Sequence, residues 1–87
     1  DKFALHQNYP NPFNPVTTIK FDLPKSSEVT IKIYDIRGRE VKTLFNGHNQ
    51  AGSYSVNFDA GYLSSGIYFY KLRADNFEDI KKMVLVK

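Results

Sequence analysis

Cysteine is absent from the chain, so no disulfide framework can form and no thiolate can hold a metal. Its absence leaves the compartment open, because an exported domain with a sufficient core does without disulfides. Tryptophan is missing too, and the aromatic load rests on six Tyr and seven Phe. No run approaches the roughly 18 consecutive apolar residues that a membrane helix needs. Asp1 to Leu5 also lacks the basic-then-apolar layout of a signal peptide. Membrane insertion is therefore not expected. The first residue is Asp1 and not Met, which reads as a piece of a longer protein whose other part has room for a signal peptide.

Charge of one sign is not concentrated anywhere. Twelve Lys and Arg against nine Asp and Glu leave a net +3, but the two signs alternate along the chain, and no nucleic-acid partner is expected. His6 and His48 stand far apart without a third or fourth ligand at regular spacing, so no metal site is assigned. The turns Asp35 to Gly38 and Asp75 to Asn76 carry hard oxygen donors that could suit calcium, yet neither resembles a calcium-binding loop. Ser64 and Ser65 lie outside any G-x-S-x-G frame and lack a His partner. With 87 residues, a chain buries only roughly 60% of its unfolded surface, enough for one core and little more. An enzyme cleft with paired carboxylates is not expected, and neither is a cofactor.

What is present is alternation with period two. Ile19, Phe21 and Leu23 alternate with Thr18, Lys20 and Asp22; Val29, Ile31 and Ile33 with Thr30, Lys32 and Tyr34; Tyr54, Val56 and Phe58 with Ser53, Ser55 and Asn57. Breaks at 10–15, 24–27, 36–39, 46–52, 60–66 and 75–76 delimit extended segments at about 3–7, 16–23, 28–35, 40–45, 53–59, 67–74 and 78–86. The spacing predicts an all-β, immunoglobulin-like sandwich of about seven antiparallel strands in two sheets, a single domain over 1–87 and a monomer. Residues 1–15 form an opening segment and 16–87 the sandwich. Gly38 supplies the positive φ that a hairpin turn with a following bulge requires, and Asn46-Gly47 offers a second turn. Tyr68, Tyr70 and Leu72 are placed inward, because the other face of their segment carries Lys71 and Arg73. For 78–86 the pattern does not choose a buried face, so exposed apolar surface is one expectation there.

Asn8-Tyr9-Pro10-Asn11-Pro12-Phe13-Asn14-Pro15 followed at once by a strand is a distinctive block. It resembles the opening of the C-terminal sorting domains of the bacterial type IX secretion system, also called Por secretion domains. The likeness continues through the hairpin Tyr34 to Val41, the stretch Leu63-Ser64-Ser65-Gly66-Ile67-Tyr68 and the ending Lys81-Lys82-Met83-Val84-Leu85-Val86-Lys87. The resemblance implies a non-catalytic module at the end of an exported cargo protein from a Gram-negative bacterium, secreted or held at the cell surface by way of the periplasm. An outer-membrane translocon would read it, and a sortase-like peptidase would remove it and attach the cargo to a surface lipopolysaccharide. The same sandwich is similar to the immunoglobulin-like domain of flagellar hook-capping proteins, where the module is structural.

Recognition is assigned to Leu63, Gly66, Tyr68, Lys81, Lys82, Val84, Val86 and Lys87, with the last strand offering unpaired backbone groups and lysine charge to a partner. Asn8, Tyr9, Pro10, Asn11, Pro12, Phe13 and Gly38 are read as structural: a rigid loop that seals one end with Phe13 in the core, and a turn glycine. Gly66 and Tyr68 read as a tyrosine corner. Two rivals stand beside the sorting reading. One is a structural immunoglobulin-like module. The other is a carbohydrate-binding module, for which Tyr34, Tyr62 and Phe69 would have to cluster on one flat face.

Overall fold

The chain folds into seven strands, seen in a computed structural model that describes residues 2–87. They are β1 (Ala4–Leu5), β2 (Val16–Leu23), β3 (Ser27–Tyr34), β4 (Glu40–Asn49), β5 (Gly52–Asp59), β6 (Gly66–Ala74) and β7 (Phe77–Leu85). β1-β2-β5 form one sheet and β4-β3-β6-β7 the other, every strand pairing being antiparallel. This is the immunoglobulin-like sandwich that the alternation predicts.

Register follows burial, since a slip by one residue would turn the dry face of a strand to water. Ile19, Phe21 and Leu23 of β2 and Phe58 of β5 face Val29, Ile31 and Ile33 of β3, Tyr70 and Leu72 of β6, and Met83 and Leu85 of β7. Each such side chain contributes about 1.5–3 kcal/mol through its burial. Tyr68, Tyr70 and Leu72 point inward as expected. On β7 the undecided pattern resolves to Met83 and Leu85 inside, with Ile80 and Val86 exposed.

One expected break is corrected. Asn46-Gly47 is not a turn but the continuation of β4, opposite Thr30 and Val29. β3 reaches back to Ser27 and offers partners along that whole length, so pairing continues to Asn49 and the chain reverses at Gln50-Ala51. Gly38 does turn the β3–β4 hairpin, with φ at 82° and its N–H donating to the Asp35 carbonyl at 2.9 Å. The Asp35 carboxylate accepts from the backbone N–H of Arg39 and Arg37 and from Arg39 Nε, which holds it below the usual carboxylate range. The opening segment belongs to the sandwich itself: β1 lies in the three-stranded sheet and Phe13 is buried in the core.

Candidate functional site

Proline explains how the opening segment docks. Pro10, Pro12 and Pro15 cannot donate a backbone hydrogen bond, so a regular ladder is impossible there and side chains take over. Asn8, fully buried, donates from Nδ2 to Thr17 Oγ1 at 3.0 Å and to the Pro10 carbonyl at 3.2 Å, while Thr17 Oγ1 donates to that same carbonyl at 2.9 Å. The Asn8 backbone N–H donates to the Tyr70 hydroxyl at 2.7 Å, and this hydroxyl donates onward to the His6 carbonyl at 2.7 Å. Burial pushes the Tyr70 phenol up to about 12. Tyr9 stands at 82% exposure between these anchors.

The segment then runs along β7. Gln7 Nε2 donates to the Lys82 carbonyl at 2.7 Å, the Val84 N–H donates to Asn11 Oδ1 at 2.9 Å, and Phe13 forms a parallel bridge with Leu85, its N–H donating to the Val84 carbonyl and its carbonyl accepting from the Val86 N–H, both at 2.9 Å. The outward edge of β7 from Lys82 to Val86 is therefore occupied. Unpaired backbone along that stretch, on which the expectation of strand addition rested, is not there.

The C-terminal residue closes the same end. Lys87 Nζ donates to the carbonyls of Gly61 and Leu63 at 2.7 and 2.8 Å, and its backbone N–H donates to Ser65 Oγ at 3.0 Å. In the same loop the Tyr68 hydroxyl donates to the Ser64 carbonyl at 2.8 Å, the bond of a tyrosine corner. Gly66 enters β6 with φ at 154°. The structure thus brings Leu63, Gly66, Tyr68, Val84, Val86, Lys87 and the Asn8–Phe13 block to one end of the sandwich. Lys81 lies further along β7, half-buried, 3.9 Å from Asp79, whereas Lys82 is exposed and makes no ion pair among the described residues.

The outward face of β6 and β7 is apolar in a way the loops are not. Ile67 pairs with Val84, Phe69 with Lys82 and Lys71 with Ile80. Ile80 at 56% and Val86 at 49% exposure leave their side chains in water. Tyr34, Phe69, Lys71, Ile80 and Gly38 border a shallow depression of about 400 Å³. Glu78 and then the Tyr34 hydroxyl hold the Lys71 ammonium above its ordinary range. Tyr34 and Phe69 are half-buried cross-strand neighbours, while Tyr62, at 61% exposure, sits in the β5–β6 loop. The three rings do not form one exposed platform.

The histidines each meet one carboxylate, His6 Nε2 at 2.8 Å from Asp22 and His48 Nδ1 at 2.7 Å from Glu28. Among the described residues no three His, Asp or Glu side chains converge on a point. Sequence reasoning missed Gln7, Thr17 and the role of the Tyr70 hydroxyl. One signal was present: Thr17 shares the parity of Ile19, Phe21 and Leu23, and a polar side chain on a dry face demands a partner.

The model of the family described as "Secretion system C-terminal sorting domain" matches residues 7–87. Among curated proteins none matches. Among solved structures, "Crystal structure of dimeric latent PorU from Porphyromonas gingivalis" is similar at TM-score 0.71 and 19% identity, over 99% of this chain and 10% of that one. PorZ, described as an essential bacterial surface component of the type-IX secretion system of Porphyromonas gingivalis, is similar at TM-score 0.61 and 18% identity, over 98% of this chain and 11% of that one. The chain thus spans about a tenth of the two proteins it resembles, and the likeness is one of fold.

Proposed function

We propose, since the chain belongs to the family of secretion system C-terminal sorting domains, that it is the folded export signal of a larger cargo protein and is read by the type IX translocon at the outer membrane. The observation that carries the reading is the extent of the family match, which takes in both the opening segment and the last strand, two parts that dock on each other at one end of the sandwich. What is read is a surface, and the reaction that follows belongs to the machinery. A sortase-like peptidase then releases the cargo or joins it to a surface lipopolysaccharide, which leaves the cargo outside a Gram-negative cell.

With the edge of β7 occupied, recognition falls to its outward side chains. Lys82, Val84 and Val86, beside Ile67 and Ile80, give an apolar strip with a free ammonium, a surface that a partner can desolvate while the charge steers its approach. Lys87 and Tyr68 hold the neighbouring loop in place. In a host with a working type IX system, a periplasmic reporter carrying this domain crosses the outer membrane, and Lys81→Glu with Lys82→Glu leaves it in the periplasm. At exposed Lys82 the reversal changes stability by no more than about 0.5 kcal/mol, whereas Lys81 is half-buried beside Asp79, so the double variant is compared with Lys82→Glu alone and both are checked for folding by circular dichroism. Export unchanged by the reversals would overturn the part assigned to these lysines.

A further inference from the structure

Two sheets have four edges, and three of them are guarded. β1 is two residues long. β4 carries two extra residues relative to β3, Leu44 and Val41, and its pairing shifts register at both, so this edge bulges; Glu40 and Lys42 add charge to it. β7 is covered by the opening segment from Lys82 to Val86 and flanked by Lys81 and Lys82. Among the described residues β5 has no such guard. It pairs with β2 residue for residue from Val16↔Asp59 to Leu23↔Gly52, and from Gly52 to Phe58 it holds neither a charge nor a proline.

The direction of the free backbone groups follows from neighbouring bonds. Ala60 N–H donates to the Pro15 carbonyl, so even-numbered residues of this stretch bond toward β2. On β2, Thr18 bonds to Tyr9 and Lys20 to His6, on the side away from β5. The N–H and C=O groups of Ser53, Ser55 and Asn57 therefore point out of the sandwich along the edge of β5. Beside them, Tyr54 and Val56 point toward the core yet stay half-buried, as do Leu44 and Phe45 on β4, because the sandwich is open on this flank. An uncharged, unbulged edge with an apolar flank is the form that natural sheets avoid unless a strand covers it.

We propose that the covering strand is β5 of a second copy of this chain, joined antiparallel about a two-fold axis at Ser55. The edge is self-complementary. In that register Ser55 meets Ser55, Ser53 meets Asn57, and Tyr54 meets Val56 on the inward side, so no like charges oppose each other and the half-buried pair is covered. Asp59 falls opposite Ala51, past the paired stretch. The two three-stranded sheets become one continuous sheet, and the face of β7 assigned to recognition stays open in each copy. This departs from the monomer expected from the strand spacing, which carries no information about which edges are left free, and it stands independently of the export reading.

The test is sedimentation velocity and amide exchange on the chain over a concentration series. A dimer that grows with concentration is expected, with exchange at Ser53, Ser55 and Asn57 slowing in step while β4 amides do not change. Ser55→Glu lies opposite Lys20 within its own sheet, which favours the folded monomer, but sets two carboxylates face to face across the axis. Ser55→Pro removes an outward N–H and no bond to β2. Either variant, folded by circular dichroism, is expected to remain monomeric. A monomer at every concentration, a dimer that leaves the β5 amides unprotected, or equal dimerisation of both folded variants would overturn the proposal. The first of these results would give the edge to an extended segment of another protein.

Discussion

Tyr70 ties the opening segment to β6 with one hydroxyl, accepting from Asn8 and donating to His6 while its ring fills the core. Tyr70→Phe keeps the ring and strands a buried N–H and a carbonyl, and is expected to lower unfolding free energy by about 1–3 kcal/mol, read from a denaturant midpoint. Tyr68→Phe, whose partner Ser64 lies in an exposed loop, is expected to cost less. The Tyr70 phenol is raised to about 12 in the fold, so the folded state holds this proton more tightly than the unfolded one. Its contribution is complete below the ordinary tyrosine pKa of about 10 and is lost as pH rises through the folded value. Ultraviolet titration is expected to show a tyrosine step above the ordinary range that accompanies the loss of fold and is missing from Tyr70→Phe. The inward placement of Tyr70 was legible because Lys71 and Arg73 claim the other face. Its partners were not, since they stand 62 and 64 residues away and no local pattern encodes them.

At the scale of the element, glycines separate what was legible from what was not. Gly38 and Gly66 occupy positive φ, and both positions were readable as turn chemistry. Asn46-Gly47 carried the same signal and yet lies in a strand, because the partners that β3 offers decide where pairing stops. The two cases give opposite predictions. Gly66→Ala meets no atom within 4 Å but must hold φ near 154°, and is expected to destabilise by about 1 kcal/mol or more. Gly47→Ala meets only the Phe45 ring at 3.7 Å, an ordinary contact, and is expected to be neutral or to stabilise by about 0.5 kcal/mol. Thermal melts of both variants check this, and equal losses would restore the turn at Gly47. Phe13, ring to ring with Phe58 at 6.2 Å, anchors the opening segment, and Phe13→Ala is expected to cost about 3–5 kcal/mol. A loss near zero on chemical denaturation would mean that the segment only rests on the sandwich.

Seen whole, one end of the sandwich is built where the opening segment meets the last strand. The block from Gln7 to Phe13 lies along the last strand, and Lys87 closes the loop before β6. Alternation made the two sheets legible, and four sequence blocks made the family legible, but the docking of the opening segment on β7 depends on the Gln7 amide donating to the Lys82 carbonyl and the Asn11 amide oxygen accepting from the Val84 N–H where the proline-rich backbone forms no regular ladder, which periodicity cannot express. That docking shifts the proposed recognition from the edge of the last strand to its outward face. The central claim, that this folded domain directs export, is tested most directly by measuring how a signal-peptide-bearing reporter divides between periplasm and exterior in a type IX host, with and without residues 1–87 at its C-terminus. The account predicts reporter outside the cell only with the domain attached; a reporter that stays in the periplasm with the domain intact and folded would contradict it.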